Sequence, residues 1–408
     1  MRDAVIVEAV RTPVTKRNGS LSGVHPIDLS AHVLRALTER TGLDPALVDD
    51  VIWGCVSQIG EQTMDIARSA VLAAGWPTSV PGVTTCPSRC GPPNYADIND
   101  AATVDRQCGS SQQALHFAAA GLIAGQYEVV VAGGVESMSR IPMGSTLSSG
   151  GSPFTALGWK ARYGDVIPHQ GVGAEMVAKR WNLTRRQLDE YSLASHEKAA
   201  AAQDAGLTAD QIVPVPGSLT GGAAVSMDEG VRRGGTLEAL GALRPAFADD
   251  GVVTAGNSSQ ISDGSAALLM TTSERAAQLG LRPLARIHTA VLAADDPVIM
   301  LTAPLPATRK VLARSGLRLD EIGIFEVNEA FASVPLAWLA DIAGGDAGVE
   351  KALNPNGGAI ALGHPLGASG ARAMTAVVHH LRATGIRYGL QAMCEGGGQA
   401  NAVIVERL

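Results

Sequence analysis

Four short stretches carry side chains able to do chemistry. Val104-Asp105-Arg106-Gln107-Cys108-Gly109-Ser110-Ser111 sets a cysteine just ahead of a run with helical character. A thiol at a helix N-terminus meets unpaired N–H groups and the positive end of the dipole. Both lower its pKa and favour the nucleophilic thiolate. Gly357-Gly358-Ala359-Ile360-Ala361-Leu362-Gly363-His364-Pro365-Leu366-Gly367 holds a histidine in a glycine-dense turn. Histidine is the side chain best suited to take a thiol proton near neutral pH. Cys394-Glu395-Gly396-Gly397-Gly398-Gln399 offers a second thiol beside glycine N–H groups that can bind an oxyanion. Glu326-Val327-Asn328-Glu329-Ala330-Phe331 offers an amide able to orient a water or donate to developing negative charge. Taken singly, each has an ordinary structural reading: a small buried thiol, a histidine on backbone, a tight turn, an Asx cap.

The elements that must position these residues alternate between strand and helix, which predicts an α/β fold with a largely buried sheet. Strands are expected at 4–8, 51–56, 128–132, 286–293, 322–327, 390–394 and 402–406. Helices are expected at 26–41, 109–124, 308–315 and 367–382. Residues 139–261 change character. They are rich in Gly and Ser loops, with helices expected at 172–181 and 184–205, the second opened by a Thr184/Gln187 capping box. Gly109-Ser110-Ser111 and Gly367-Ala368-Ser369-Gly370 each open a helix, and each is followed by a strand ending in glycines, 129–134 and 390–398. This parallel suggests a duplicated unit.

Length and composition narrow the classes. With 408 residues, 46% hydrophobic and 17% charged, the chain is globular with more than one core. A net charge of −7 argues against general nucleic-acid binding. No apolar run is long enough to span a membrane and no targeting signal is evident, so a cytoplasmic protein is expected. Five cysteines do not make a disulfide framework, and the lone Cys86/Cys90 pair does not complete a zinc site.

In combination, the two cysteines, the histidine and the asparagine resemble the thiolase family, the acetyl-CoA C-acetyltransferases and 3-ketoacyl-CoA thiolases. Arg11-Thr12-Pro13, Gly133-Gly134-Val135-Glu136-Ser137-Met138-Ser139 and Thr254-Ala255-Gly256-Asn257-Ser258-Ser259 extend the resemblance over nearly the whole chain. It implies the thiolase fold: two duplicated αβαβα-type halves in a five-layer arrangement with an inserted loop domain. The halves would be 1–138 with 262–282, and 283–408; the CoA-binding loop domain would be 139–261. It implies Cys108 as the acylated nucleophile and His364 as its base and an oxyanion donor. Cys394 would be the general acid/base, Asn328 the holder of an oxyanion water, and Gly396 a backbone N–H donor. Substrate and CoA contacts would come from Ser259, Arg232, Ala255, Phe247, His169, Gln170, Ala330 and Phe331. CoA would be a co-substrate, with no metal and no resident cofactor. The partners would be CoA thioesters, not nucleic acid or membrane, and the chain would form a homodimer or homotetramer.

Three departures bear on substrate. Thr15 stands where the resembled pattern has glycine. Residues 84–102, with Cys86 and Cys90, read as an extension ahead of the nucleophile. His169-Gln170 falls where acetoacetyl-CoA enzymes carry His-Met. Gln170, with the run Gly256-Asn257-Ser258-Ser259-Gln260-Ile261-Ser262-Asp263-Gly264, which resembles actinobacterial and steroid-degrading thiolases, points to a 3-ketoacyl-CoA thiolase with a broad or bulky acyl group, in lipid or steroid degradation. The alternatives are an acetyl-CoA acetyltransferase forming acetoacetyl-CoA, and a non-catalytic CoA- or lipid-binding relative. A condensing enzyme acting on acyl-carrier protein is disfavoured by Cys394 in its glycine-rich setting.

Overall fold

The computed structural model describes residues 2–85, 106–147 and 151–408. Cys86, Cys90 and all but the first two residues of the 84–102 segment lie outside the described residues. Ten strands form one connected sheet path: β1 (Val5–Arg11), β2 (Thr15–Lys16), β3 (Asp50–Gly54), β4 (Val83–Thr85), β5 (Val129–Ser137), β6 (Ser262–Thr271), β7 (Ala285–Ala294), β8 (Ile322–Val327), β9 (Tyr388–Glu395) and β10 (Gln399–Arg407). The order is β4-β3-β5-β6-β1-β7-β10-β9-β8, with β2 beside β6.

That order is the same motif written twice. β3 runs parallel to β5, β5 antiparallel to β6 and β6 antiparallel to β1. β8 runs parallel to β9, β9 antiparallel to β10 and β10 antiparallel to β7. The counterpart of edge strand β4 shrinks in the second copy to a single parallel bridge, Phe325 to Leu353. The copies meet at β1 and β7 through two residue pairs, Val5–Arg286 and Ile6–Ala285. The duplication expected from the two helix-opening motifs is therefore present as topology.

Side-chain alternation turns this sheet into layers. Successive strand residues point to opposite faces. Val5, Val129 and Val131 face an outer layer with Leu29, Val33 and Leu37 of the helix Pro26–Thr41. Ile6, Val130 and Ala132 face inward with Val403 and Val405 of the other copy. Between them lie Leu115, Ala118 and Leu122 of the helix Ser110–Ala124, and Met374, Val377 and Leu381 of the helix Ser369–Thr384. Val291, Phe325, Leu390 and Ile404 face a second outer layer with Leu305 and Val311 of the helix Pro304–Ser315. Helix, sheet, paired central helices, sheet and helix make the five layers.

The two central helices touch closely at their starts. A Cβ on Gly370 would stand 2.3 Å from the Gln112 backbone nitrogen. The Ser111 hydroxyl accepts the Ala371 N–H at 2.9 Å. Element ends differ modestly from expectation. The larger correction is β5, expected to stop before Gly133-Gly134 but running on to Ser137. These glycines stay in the strand because neighbours occupy the space of a side chain. The Trp53 ring lies 2.3 Å from a Cβ built on Gly133, and the Gly367 oxygen lies 2.2 Å from one on Gly134. Between β5 and β6 run the helices Gln170–Arg180 and Arg185–Asp204, the latter with the expected Thr184/Gln187 capping box. Arg11 anchors this block to the first sheet through a buried pair with Asp228 at 2.6 and 2.9 Å.

Candidate active site

Cys108 sits in the short turn Gln107–Gly109 that opens the helix Ser110–Ala124. The residue before it, Gln107, has φ of 48°, a left-handed conformation costly for a non-glycine residue. Such a bend sharply re-aims the following side chain. The turn packs against β9 and against the turn Leu366–Ala368. Cys108 is buried in a cluster with Met138, Leu366 and Met393. The helix start predicts a lowered thiol pKa, but the structure reverses this. Burial pushes the Cys108 thiol well above its usual range, and Cys394 and Glu395 push it further; the Gln170 side chain, hydrogen-bonded to it, opposes them only in part. A thiol taken out of water loses more than the dipole returns.

His364 is buried on the loop before the turn Leu366–Ala368. Its Nδ1 lies 2.6 Å from Ser369 Oγ. The Ser369 hydroxyl itself donates to the Pro365 carbonyl at 2.8 Å. Its one proton is thereby committed, so Ser369 Oγ accepts from His364 Nδ1–H. The proton sits on Nδ1 and the Nε2 lone pair is left as the basic site. Nε2 is buried and makes no hydrogen bond among the described residues. Burial, then the charge of Arg372, lowers the imidazole pKa to about 3. Arg372 is itself buried and paired with Glu326 at 3.2 Å. The ring is therefore a neutral base at rest.

Cys394 lies buried near the end of β9. Asn328, just past β8, donates from Nδ2 to Cys394 Sγ at 3.5 Å. The Cys394 thiol is pushed up to about 11, chiefly by burial. Asn328 Oδ1 is buried without a partner among the described residues. Gly396 abuts the nucleophile turn, since a Cβ there would lie 2.9 Å from Gln107 Cγ. The structure thus brings Cys108, Cys394, Asn328 and Gly396 together, with the His364 loop packed on the same turn.

The expected substrate contacts divide into two places. His169, Phe247 and Phe331 form a wall, with ring centroids 5.6 Å apart for the first pair and 5.9 Å for the second. Ala330 joins it, because its carbonyl accepts the Ser259 N–H at 2.9 Å. Gln170 starts the helix beside this wall, and the Phe247 ring fills the space a side chain on Gly171 would need. Ala255 is exposed on the loop leading to Ser259. Arg232 is exposed and held elsewhere: its backbone N–H donates at 3.1 Å to Nδ1 of His196, on the helix Arg185–Asp204.

Several positioning residues escaped the sequence reading. Glu136 is buried and accepts N–H groups of Val56, Ser57 and Gly367 at 2.9, 3.0 and 2.9 Å, tying the His364 loop to the first copy. Gln260 accepts the His364 N–H through its carbonyl at 3.0 Å and donates to the Gly230, Ile360 and Ala361 carbonyls. Glu329 accepts from Tyr191, Ser195, Asn354 and the Ile360 N–H. Glu136 and Glu329 stood inside quoted motifs without a role of their own; Gln260 is an ordinary polar residue in sequence. Among the described residues, no cluster of His, Cys, Asp and Glu is arranged to hold a metal ion.

Comparison with known proteins agrees with the fold. The family model "Thiolase, N-terminal domain" matches residues 4–91 and 94–274, and "Thiolase, C-terminal domain" matches residues 281–407. The chain is 48% identical to steroid 3-ketoacyl-CoA thiolase FadA6 of Mycobacterium tuberculosis, covering 100% of this chain and 95% of that protein. It is 42% identical to a 3-ketoacyl-CoA thiolase of Aliivibrio fischeri over the full length of both. The crystal structure of Bacillus anthracis acetyl-CoA acetyltransferase superposes with a TM-score of 0.85 at 36% identity, covering 100% of this chain and 99% of that one.

Proposed function

Because this chain belongs to the thiolase family, we propose that it cleaves 3-ketoacyl-CoA thioesters by acyl transfer through Cys108 to CoA, in lipid or steroid degradation. The observation that carries the assignment of roles is the fixed tautomer of His364, with a buried basic Nε2, on the loop ahead of the turn Leu366–Ala368 that packs on Gln107–Gly109.

The chemistry follows from two protonated thiols and one neutral base. His364 Nε2 takes the Cys108 proton as the sulfur attacks the 3-keto carbon. The ketone oxygen becomes an oxyanion, stabilised by His364 and a water oriented by Asn328. Collapse breaks the bond between C2 and C3, and the Cys394 thiol delivers its proton to C2, releasing acetyl-CoA. Cys108 now carries the shortened acyl group as a thioester. The thiol of incoming CoA passes its proton to the Cys394 thiolate and attacks the acyl carbon. N–H groups of Cys108 and Gly396 face this second oxyanion. Its collapse expels the Cys108 sulfur, which recovers its proton from His364. The elevated thiol of Cys394 suits it to both proton transfers, since it stays protonated until a carbanion demands otherwise.

We assign the wall of His169, Phe247, Phe331 and Ala330, with Ser259 and Ala255, to the pantetheine and acyl side. Gln170 contacts the nucleophile there, and Arg232 serves the distant nucleotide end of CoA. The same reading divides the chain into halves 1–138 with 262–282 and 283–408 around a loop domain 139–261. It takes the working form as a cytoplasmic homodimer or homotetramer. No helix among the described residues is long and apolar enough to cross a membrane.

The deciding experiment compares kcat/KM for CoA-dependent thiolysis of acetoacetyl-CoA and of a steroid-type 3-ketoacyl-CoA. Preference for the bulky substrate supports the degradative role. Preference for acetoacetyl-CoA makes the chain a short-chain acetyltransferase and removes the Gln170 argument. Full thiolysis by a Cys108→Ala variant would overturn the mechanism.

A further inference from the structure

Glu395 is a buried acidic residue that no step above uses. It follows Cys394 at the end of β9, and its carboxylate lies against Gly109, the N-cap of the helix Ser110–Ala124. A Cβ on Gly109 would stand 1.9 Å from Oε1 and 2.6 Å from Cδ, so the carboxylate rests directly against this residue. The helix has no side-chain cap and no acidic residue in its first turn. Glu395, from the other copy of the motif, thus supplies the acidic group set against the positive end of this helix.

Among the described residues, the surrounding charged and titratable groups come from four directions. β9 brings Cys394 and Glu395, and the loop before the helix Ser369–Thr384 brings His364 with Arg372 behind it. Arg106 precedes the nucleophile turn and is held by Gln399 at 2.6 Å. The first copy brings Glu136, which holds the Gly367 N–H. The uncharged Gln170 reaches Cys108 from the inserted block. Burial is the largest cause acting against the ionised form of both Cys108 and Cys394, and of these charged groups Glu395 is the one that adds to it at both.

We propose that Glu395 is a positioning residue that neutralises the helix N-terminus and holds Cys108 and Cys394 as thiols until substrate is bound and His364 takes the proton. This rests on the reading of Cys108 as nucleophile. The gain is selectivity. A standing thiolate would react with any small electrophile or oxidant entering the site, whereas a thiol ionised only in step with attack reacts where the base and the oxyanion donors are engaged.

The test measures alkylation of Cys108 by iodoacetamide across pH in the full-length protein, with the modified peptide identified by mass. Wild type, Glu395→Gln and Glu395→Asp are compared. Glu395→Gln should displace the alkylation midpoint downward by a unit or more, about a tenfold faster reaction at a fixed pH below the midpoint. Glu395→Asp, which keeps the charge, should stay near wild type. An unchanged midpoint in Glu395→Gln, or equal shifts in both variants, overturns the proposal. The wild type gives a second readout that no folding defect can cloud: a midpoint at or below about 8.5, that of an ordinary thiol, overturns it as well. Loss of thiolysis in Cys108→Ala belongs to the underlying mechanism, so the two can fail separately.

Discussion

Ser369→Ala removes one oxygen atom that never meets substrate. The Nδ1–H of His364 then loses its acceptor at 2.6 Å in a buried site. An unsatisfied buried donor costs about 1–3 kcal/mol. Both tautomers then carry one unsatisfied N–H, because Nε2 has no partner among the described residues either, and the preference for a lone pair on Nε2 disappears. The productive tautomer falls about twofold, and the imidazolium formed in the transition state loses a charge-assisted bond worth about 1 kcal/mol more than a neutral one, for about tenfold in all at about 1.4 kcal/mol per factor of ten. Because the loss is of the base and not of binding, kcat and kcat/KM should fall together while KM holds. Thiolysis of a 3-ketoacyl-CoA under saturating CoA reads this directly. Ser369→Thr keeps the hydroxyl and should retain most of the activity. A Ser369→Ala enzyme within twofold of wild type, with an unchanged melting temperature, would refute the tautomer argument.

Two further outcomes follow. His364 is basic above about 3 and Cys394 stays protonated below about 11, so kcat/KM should be flat from roughly pH 5 to 9; an acid limb with a midpoint near 6.5 would show an imidazole in contact with water. Asp228→Ala strands the Arg11 guanidinium in a buried site and removes the acceptor of the Val14 N–H at 2.8 Å. It should cost about 3–5 kcal/mol in urea unfolding, and a loss below about 1 kcal/mol would show that the pair contributes little.

His364 and Cys394 stood out in the sequence because each lies in a motif dense in glycine, where backbone must approach backbone. Gly54, Gly134 and Gly367 meet main chain at distances that exclude any side chain, and such positions leave a mark in composition. The layers were legible because alternation sends Ile6 and Val5 to different cores. What sequence could not supply was the neighbour from far along the chain. Ser369, Gln260 and Glu329 are unremarkable polar residues until folding sets them against His364 and its loop. The thiol of Cys108 was misjudged for the same reason. The helix start is visible locally; the burial and the carboxylate of Glu395 are not. β5 was cut short because glycine ordinarily weakens a strand, and only the Trp53 ring and the Gly367 carbonyl explain its persistence.

The convergence of the two central helices has a consequence for how such a molecule can change over time. Their starts meet at Gly370 and Gln112, and the reactive groups stand on that seam. The proposed nucleophile, Cys108, belongs to one copy of the duplicated motif, while His364, Cys394 and Asn328 belong to the other. On that assignment neither copy holds the full set, so the proposed site exists only where the two pack. The copies differ at their edges, where one has a strand and the other a single bridge. A side chain added at Gly370, by contrast, would press on both copies at once.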